Sequence, residues 1–281
     1  MAIFKNEKLT TVMYLVLSLI MRLCILCCSL FSALKFTVFS PRFLTETINS
    51  TNYYKDLCDE ITDDLKNIGD ASGLDKSFFE DFTDEVLVRK DVQYYIDDFY
   101  SGKKLKVNTL GFQKALRSAL DQFINKKGLT EKDYSEESIN NFVKEATNIY
   151  ASDIEIAYFP QIQKTFLSYN TKLNIGIAVT LILIVGITLL FIFTNKWKHI
   201  AIRYIYYSTA SAGLVALLIP VLVFASGLIS KITIINRSLN DLYTACLNSV
   251  FFTLLFVALA LLAISGFLWV LHNKTRKSVS N

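Results

Sequence analysis

Histidine occurs twice in this 281-residue chain, proline three times and tryptophan twice, and these scarcities remove whole classes of protein. His199 and His272 are too few for a ligand cluster, and the sequence has neither a glycine-rich phosphate loop nor paired aspartates in its apolar runs. An enzyme is therefore not expected, and no cofactor or resident metal is implied. Strand-like alternation is nearly absent, the best stretch being residues 154–158, which excludes a sheet-based fold. Acid is missing wherever hydrophobicity is concentrated: after Lys172 the only acidic residue is Asp241. Low proline beside abundant Asn, Lys and Ile points to an AT-rich bacterial source.

What the chain has in quantity is long hydrophobic runs, at residues 11–40, 174–194, 204–229 and 249–271. Each covers the ~20 residues that a helix needs to cross a bilayer's hydrocarbon core. A hydrophobic content of 52% and a mean hydropathy of +0.38 agree with four spans. The formal net charge of +4 conceals an asymmetry. Between Arg42 and Lys172 there are 17 basic and 23 acidic residues, against 12 basic and 2 acidic elsewhere. The basic residues flank the runs, which reads as a topology signal and not as a nucleic-acid surface. Lys5 and Lys8 precede run one; Lys196, Lys198 and Arg203 separate runs two and three; Lys274, Arg276 and Lys277 follow run four. Positive segments stay in the cytoplasm, so both termini are expected inside a plasma membrane, with residues 41–172 and 230–248 outside. Run one is about twice the length of a secretory h-region and ends on no small-residue cleavage site, which predicts an uncleaved anchor.

The fold class expected is all-α: a four-helix transmembrane bundle with an α-helical extracytoplasmic domain inserted between spans 1 and 2. Its divisions are residues 1–40, the cytoplasmic N-terminus and first span; 41–172, the outer helical domain with its stalk; and 173–281, spans two to four with a basic tail. In the polar block, Tyr54, Leu57, Cys58, Ile61, Leu65 and Ile68 keep three-four spacing, with Gly69 as a stop. Thr83 reads as the N-cap of a second helix with Val88, Val92, Ile96 and Phe99 inward, ending near Gly102. Asn108 opens a third, with Phe112, Leu116, Leu120, Phe123 and Ile124 on one side and Gly128 after it. Ser135 opens a fourth carrying Ile139, Phe142, Val143, Ala146 and Tyr150. Phe78, Phe79 and Phe82 mark a short turn between the first two. Pro160 suits a first helical position, and no breaker interrupts residues 160–194, so one continuous helix is expected there.

Five positions or groups stand out as candidates. Asp56, Asp59, Glu60, Asp63 and Asp64 form an acidic stripe on the first outer helix. Of these, Asp56, Glu60, Asp63 and Asp64 have spacings that allow a weak cation site, although a solvated face explains them better. Arg22 is a charge inside run one, so it snorkels to the interface, uses polar groups such as backbone carbonyls, or contacts a partner's carboxylate. Cys58 and Cys246 fall on the same side of the membrane and allow one bridge, which sequence position cannot establish; Cys24, Cys27 and Cys28 read as packing residues in span one. Ser208, Ala210, Ser211, Ala212 and Gly213, with Ala258, Ala260, Ala263, Ser265 and Gly266, suit close helix packing. Trp197, Tyr204, Tyr206, Tyr207 and Trp269 read as an inner aromatic belt.

The segment Phe36-Thr37-Val38-Phe39-Ser40-Pro41-Arg42-Phe43, followed by Tyr53, Tyr54 and an acidic helix, resembles bacterial four-span membrane proteins of uncharacterised function. That resemblance covers most of the chain and implies no catalytic residues. In topology alone the chain is similar to permease subunits of cell-division and macrolide-exporter ABC systems. The function expected is surface binding, sensing or scaffolding through the outer domain, with the lipid bilayer and a protein partner in the membrane or at the cell surface. A mechanotransmitting permease-like subunit with a cytosolic ATPase is the second reading, and an oligomeric pore or transporter component the third. The short, basic loop at residues 195–203 counts against the second, and the lack of polar stripes in the spans against the third.

Overall fold

The computed structural model describes residues 7–71, 74, 76–79, 82–127, 135–195, 197–232 and 236–280. Lys5, Gly128 and Lys196, invoked above, lie outside the described residues, as do the side chains of Lys8 and Ser278. The elements are α1 (Glu7–Phe36), α2 (Pro41–Ser50), α3 (Tyr53–Ala71), a 3-10 turn (Lys76–Phe79), α4 (Glu85–Ser101), α5 (Leu110–Lys127), α6 (Glu136–Ile154), α7 (Phe159–Thr194), α8 (Lys198–Ser226), a second 3-10 turn (Ile229–Lys231) and α9 (Arg237–Ser280). No strand occurs among the described residues. Four helices, α1, α7, α8 and α9, are long and apolar enough to cross a bilayer, which points to a multi-pass membrane protein.

The chain divides into two compact units. One comprises Met1–Ser40, Ser168–Ile232 and Cys246–Asn281; the other comprises Pro41–Leu167 and Thr233–Ala245. In the first unit, Tyr14, Met21 and Ile25 of α1 are buried with Ile187 and Phe191 of α7 and Ala201, Tyr204 and Ala212 of α8. The Tyr14, Phe191 and Tyr204 rings meet pairwise with centroids 5.5–5.9 Å apart. Tyr204 is thus a core residue and not part of a belt, whereas Trp197, Tyr207 and Trp269 are about half exposed. Because lipid tails are as apolar as leucine, dispersion and interhelical hydrogen bonds hold such helices together. Ser18 Oγ and Ser208 Oγ, 2.8 Å apart, supply one such bond between α1 and α8. On α9 the buried positions Leu254, Ala258, Ser265 and His272 recur at spacings of four and seven, giving a packing seam. Ala260, Ala263 and Gly266 fall off that seam and are exposed, so small size alone did not mark the contact face. Ile182, Phe193 and Phe256 are more than two-thirds exposed, as an outward face in hydrocarbon would be.

The second unit is built on α2 to α6 around Ile48, Leu57, Ile61, Leu65, Val92, Ile96, Leu116, Ala146 and Tyr150, all almost fully buried. Ring contacts bind it further: Phe112 stacks on Tyr150 at 4.0 Å, and Phe99 on Phe159 at 4.1 Å. Helix α2 was not anticipated, although Pro41 at its first position and Leu44, Thr47 and Ile48 on one buried face are ordinary helix signals. Helix α3 runs past Gly69 to Ala71. Gly69 is no stop because its missing Cβ makes room for the Phe79 ring, which an added Cβ would meet at 2.3 Å. The cap of α4 is Asp84, whose carboxylate accepts from Val86 N–H at 2.8 Å. Thr83 is not the cap; its hydroxyl lies 2.6 Å from that of Thr62. Gly102 closes α4 at φ 74, Asn108 accepts from Leu110 N–H at the start of α5, and Ser135 caps α6. Residues 154–158 alternate because Ile154, the last residue of α6, and Ile156, in the connector that follows, are both buried. Helix α7 begins at Phe159, one residue before Pro160, and continues unbroken to Thr194.

Candidate functional site

The acidic helix α3 turns two of its carboxylates toward the start of α9. Asn236 stands at the N-terminus of α9, where its carbonyl accepts from Asn240 N–H at 3.0 Å. A helix begins with N–H groups that lack intrahelical partners, and it carries partial positive charge there. Glu60 answers both: one carboxylate oxygen accepts from Ser238 N–H at 3.1 Å and the other from Ser238 Oγ at 2.6 Å. Asp56 is 7% exposed, with Oδ1 3.8 Å from Arg237 Nε and Oδ2 without a hydrogen-bond partner. Arg237 is mostly solvated, so that ion pair is weak. Asp56 and Glu60 are therefore not on a free solvated face, because the first turn of α9 covers them. Asp59, Asp63 and Asp64 are exposed, and Asp63 lies 3.8 Å from Lys66 Nζ.

Asp153 of α6 belongs to this group and escaped the sequence reading. Burial, with the charges of Asp64 and Glu60, pushes its carboxyl from the ordinary carboxylate range up to about 6. Its Oδ2 is enclosed without a hydrogen-bond partner. The available signal was position: Asp153 follows Ala146 by seven and Tyr150 by three, on the apolar face of α6. The same reasoning applies to Asp91 of α4, which lies among Val88, Val92 and Tyr95 and is 3% exposed. Tyr150 Oη donates to Asp91 Oδ2 at 2.8 Å, and burial raises the pKa of both groups.

The seam on α3 can thus hold a helix end, and Asp153 of α6 can exchange a proton at mildly acidic pH. No three His, Cys, Asp or Glu side chains come close enough to hold a metal ion among the described residues. Cys58 and Cys246 are both free thiols. Burial first, then Glu85, Asp59 and Asp84, pushes the Cys58 thiol up to about 12 and suppresses its thiolate. In the other unit, Arg22 is half-buried and its Nε is enclosed without a hydrogen-bond partner. His272 Nδ1 donates to the His199 carbonyl at 2.7 Å, joining the ends of α9 and α8.

The class this architecture defines is an all-helical protein with four candidate membrane-spanning helices and a polar helical unit. Comparison with models of protein families, with curated proteins and with solved structures finds no match.

Proposed function

We propose that this is a non-enzymatic protein of a bacterial plasma membrane whose polar block, residues 41–172, lies outside and binds or senses a partner at the cell surface. The observation that carries this reading is the grip of Glu60 on Ser238. It joins the most acidic helix to the first turn of α9, a single helix from Arg237 to Ser280 that contains the fourth apolar run. A cationic partner drawn to the exposed Asp59, Asp63 and Asp64 would sit on the same helix whose Asp56 and Glu60 hold the α9 terminus, so binding and the state of that helix end are linked. Segregation of acid into residues 41–172, and of base into the segments beside the apolar runs, supports the orientation.

Co-purification in mild detergent followed by mass spectrometry tests the proposal. The expected result is a membrane or surface protein that is lost when Asp59, Asp63 and Asp64 are replaced together by asparagine. A cytosolic ATPase recovered in stoichiometric amount would replace this reading with that of a permease-like transmitting subunit.

A further inference from the structure

The first apolar run holds a single charge well inside it, and the other three runs hold no acid to meet it. On α1, Ser18, Arg22 and Ser29 fall at spacings of four and seven, which places them on one stripe. Ser18 of that stripe touches Ser208 of α8 at 2.8 Å. Arg22 is half-buried, and its Nε is shut off from solvent with no hydrogen-bond partner. No carboxylate pairs with it among the described residues. A guanidinium with an enclosed, unpartnered Nε and no counter-charge is costly in hydrocarbon and calls for an anion.

Beside this stripe a groove of about 420 Å³ opens between α1, α7, α8 and α9, lined among others by Met21, Ile25, Ser29, Thr188, Thr209 and Leu261. Three of its four hydroxyls are already spent on their own helices: Ser29 donates to Leu26 O at 2.8 Å, Thr188 to Ile184 O at 2.7 Å and Thr209 to Ile205 O at 2.9 Å. Such walls suit an alkyl chain and not a polar solute. The α1 contribution runs from Met21 to Ser32, a rise of about 16 Å along the helix, which is roughly one leaflet of a ~30 Å hydrocarbon core. The other end of α1 is marked by Lys35, whose Nζ donates to Asn170 Oδ1 at 2.5 Å. If that polar pair stands at one edge of the core, Arg22 lies about 20 Å deeper, within a side chain's reach of the opposite edge. Side chains on a helix lean toward its N-terminus, which tips Arg22 toward that edge and away from the groove's far end.

We propose that this groove holds the acyl chain of an anionic lipid, with the lipid's phosphate or carboxylate paired to Arg22. Charge beside one end and an alkyl-sized slot running from there along α1 toward the Lys35 end are the two halves of an amphiphile. The inference rests on these helices spanning a bilayer and is independent of the function proposed for the polar unit.

Native mass spectrometry of the full-length protein in detergent provides the test, with phosphatidylglycerol, phosphatidylcholine of the same chains, and oleate as separate additions. The wild-type protein is expected to retain phosphatidylglycerol about fivefold better than phosphatidylcholine, the scale of one basic residue at a lipid surface. Oleate bound as well as phosphatidylglycerol would identify a free carboxylate as sufficient; oleate left unbound would assign the site to phosphate. Arg22→Gln is expected to abolish the preference and Arg22→Lys to keep most of it. Equal retention of the two phospholipids by the wild type, or an undiminished preference in Arg22→Gln, overturns the proposal. Should Arg22→Gln fail to fold, a phosphatidylglycerol with a photoreactive chain added to the wild type decides instead. Cross-links within residues 21–32 and 184–209 are expected. Cross-links confined to outward positions such as Leu15, Leu19 and Ile182, or a co-purified acidic membrane protein occupying Arg22, would refute it.

Discussion

Asp153 is the residue whose chemistry most depends on its surroundings. Its carboxyl holds a proton up to about pH 6 in the folded chain, because burial and the charges of Asp64 and Glu60 disfavour the carboxylate. In the unfolded chain the same group ionises near pH ~3.9. Below both values the proton is bound in either state and the residue is neutral to stability. As pH rises from about 4 to about 6 the unfolded state alone releases its proton, so stability falls; above pH ~6 the full penalty remains. Asp153→Asn is therefore expected to raise Tm by about 2–4 °C at pH 7.5, with the difference shrinking toward pH 4, as read by thermal unfolding at both pH values. Gly69 illustrates the opposite kind of constraint, a position defined by lack of space. A Cβ there would meet Phe79 Cε2 at 2.3 Å, and Phe79 is 1% exposed, so its ring has nowhere to go. Gly69→Ala, although it favours helix in isolation, is expected to cost about 1–3 kcal/mol of stability through overpacking, measurable by denaturant unfolding.

At the scale of elements, the termini of helices decide more than their interiors. Helix α4 ends on a left-handed Gly102, α6 starts on Ser135, and α9 borrows its cap from α3. Removing the borrowed cap is expected to fray the first turn of α9 without disturbing α3, which keeps its buried apolar face. Glu60→Ala should lower stability by about 1 kcal/mol and speed hydrogen exchange at residues 238–242, while exchange at Leu57 and Ile61 stays slow. Unchanged exchange at the start of α9 would show that Glu60 does not hold it. The long helices behave differently, since their packing depends on close approach. Gly213 of α8 faces Leu261 and Leu262 of α9, with a Cβ at this position meeting them at 3.1–3.2 Å. Gly213→Leu is expected to separate α8 from α9 and lower the detergent-solubilised Tm by several degrees, whereas Gly266→Leu, with nothing within 4 Å, should leave it unchanged.

For the molecule as a whole, the proposed orientation makes one direct prediction. A cysteine at Ser101 should react with a membrane-impermeant maleimide on intact cells and one at Ser278 only after permeabilisation; Ser278→Cys labelled from outside would reverse the topology. Four apolar runs, an all-helical class, the Gly102 end of α4, the Ser135 cap of α6 and the unbroken run of α7 were legible in residue order, because run length, three-four spacing and capping are properties of neighbouring residues. The α3 boundary was misread for a non-local reason: Gly69 ends no helix because Phe79, ten residues on, occupies its missing side chain's space. Tyr204 was misassigned to a belt because nothing local announces Tyr14 and Phe191, with which its ring is buried. The acidic stripe was visible on α3, but not that Asp56 and Glu60 meet Arg237 and Ser238, nearly 180 residues away. By itself the sequence determined composition, the number of candidate spans and helical periodicity, all set by chemistry within a few turns of chain. Which carboxylates are buried, which small residues pack and which charge lacks a partner were decided only by tertiary structure, because desolvation and pairing depend on neighbours that folding brings from afar.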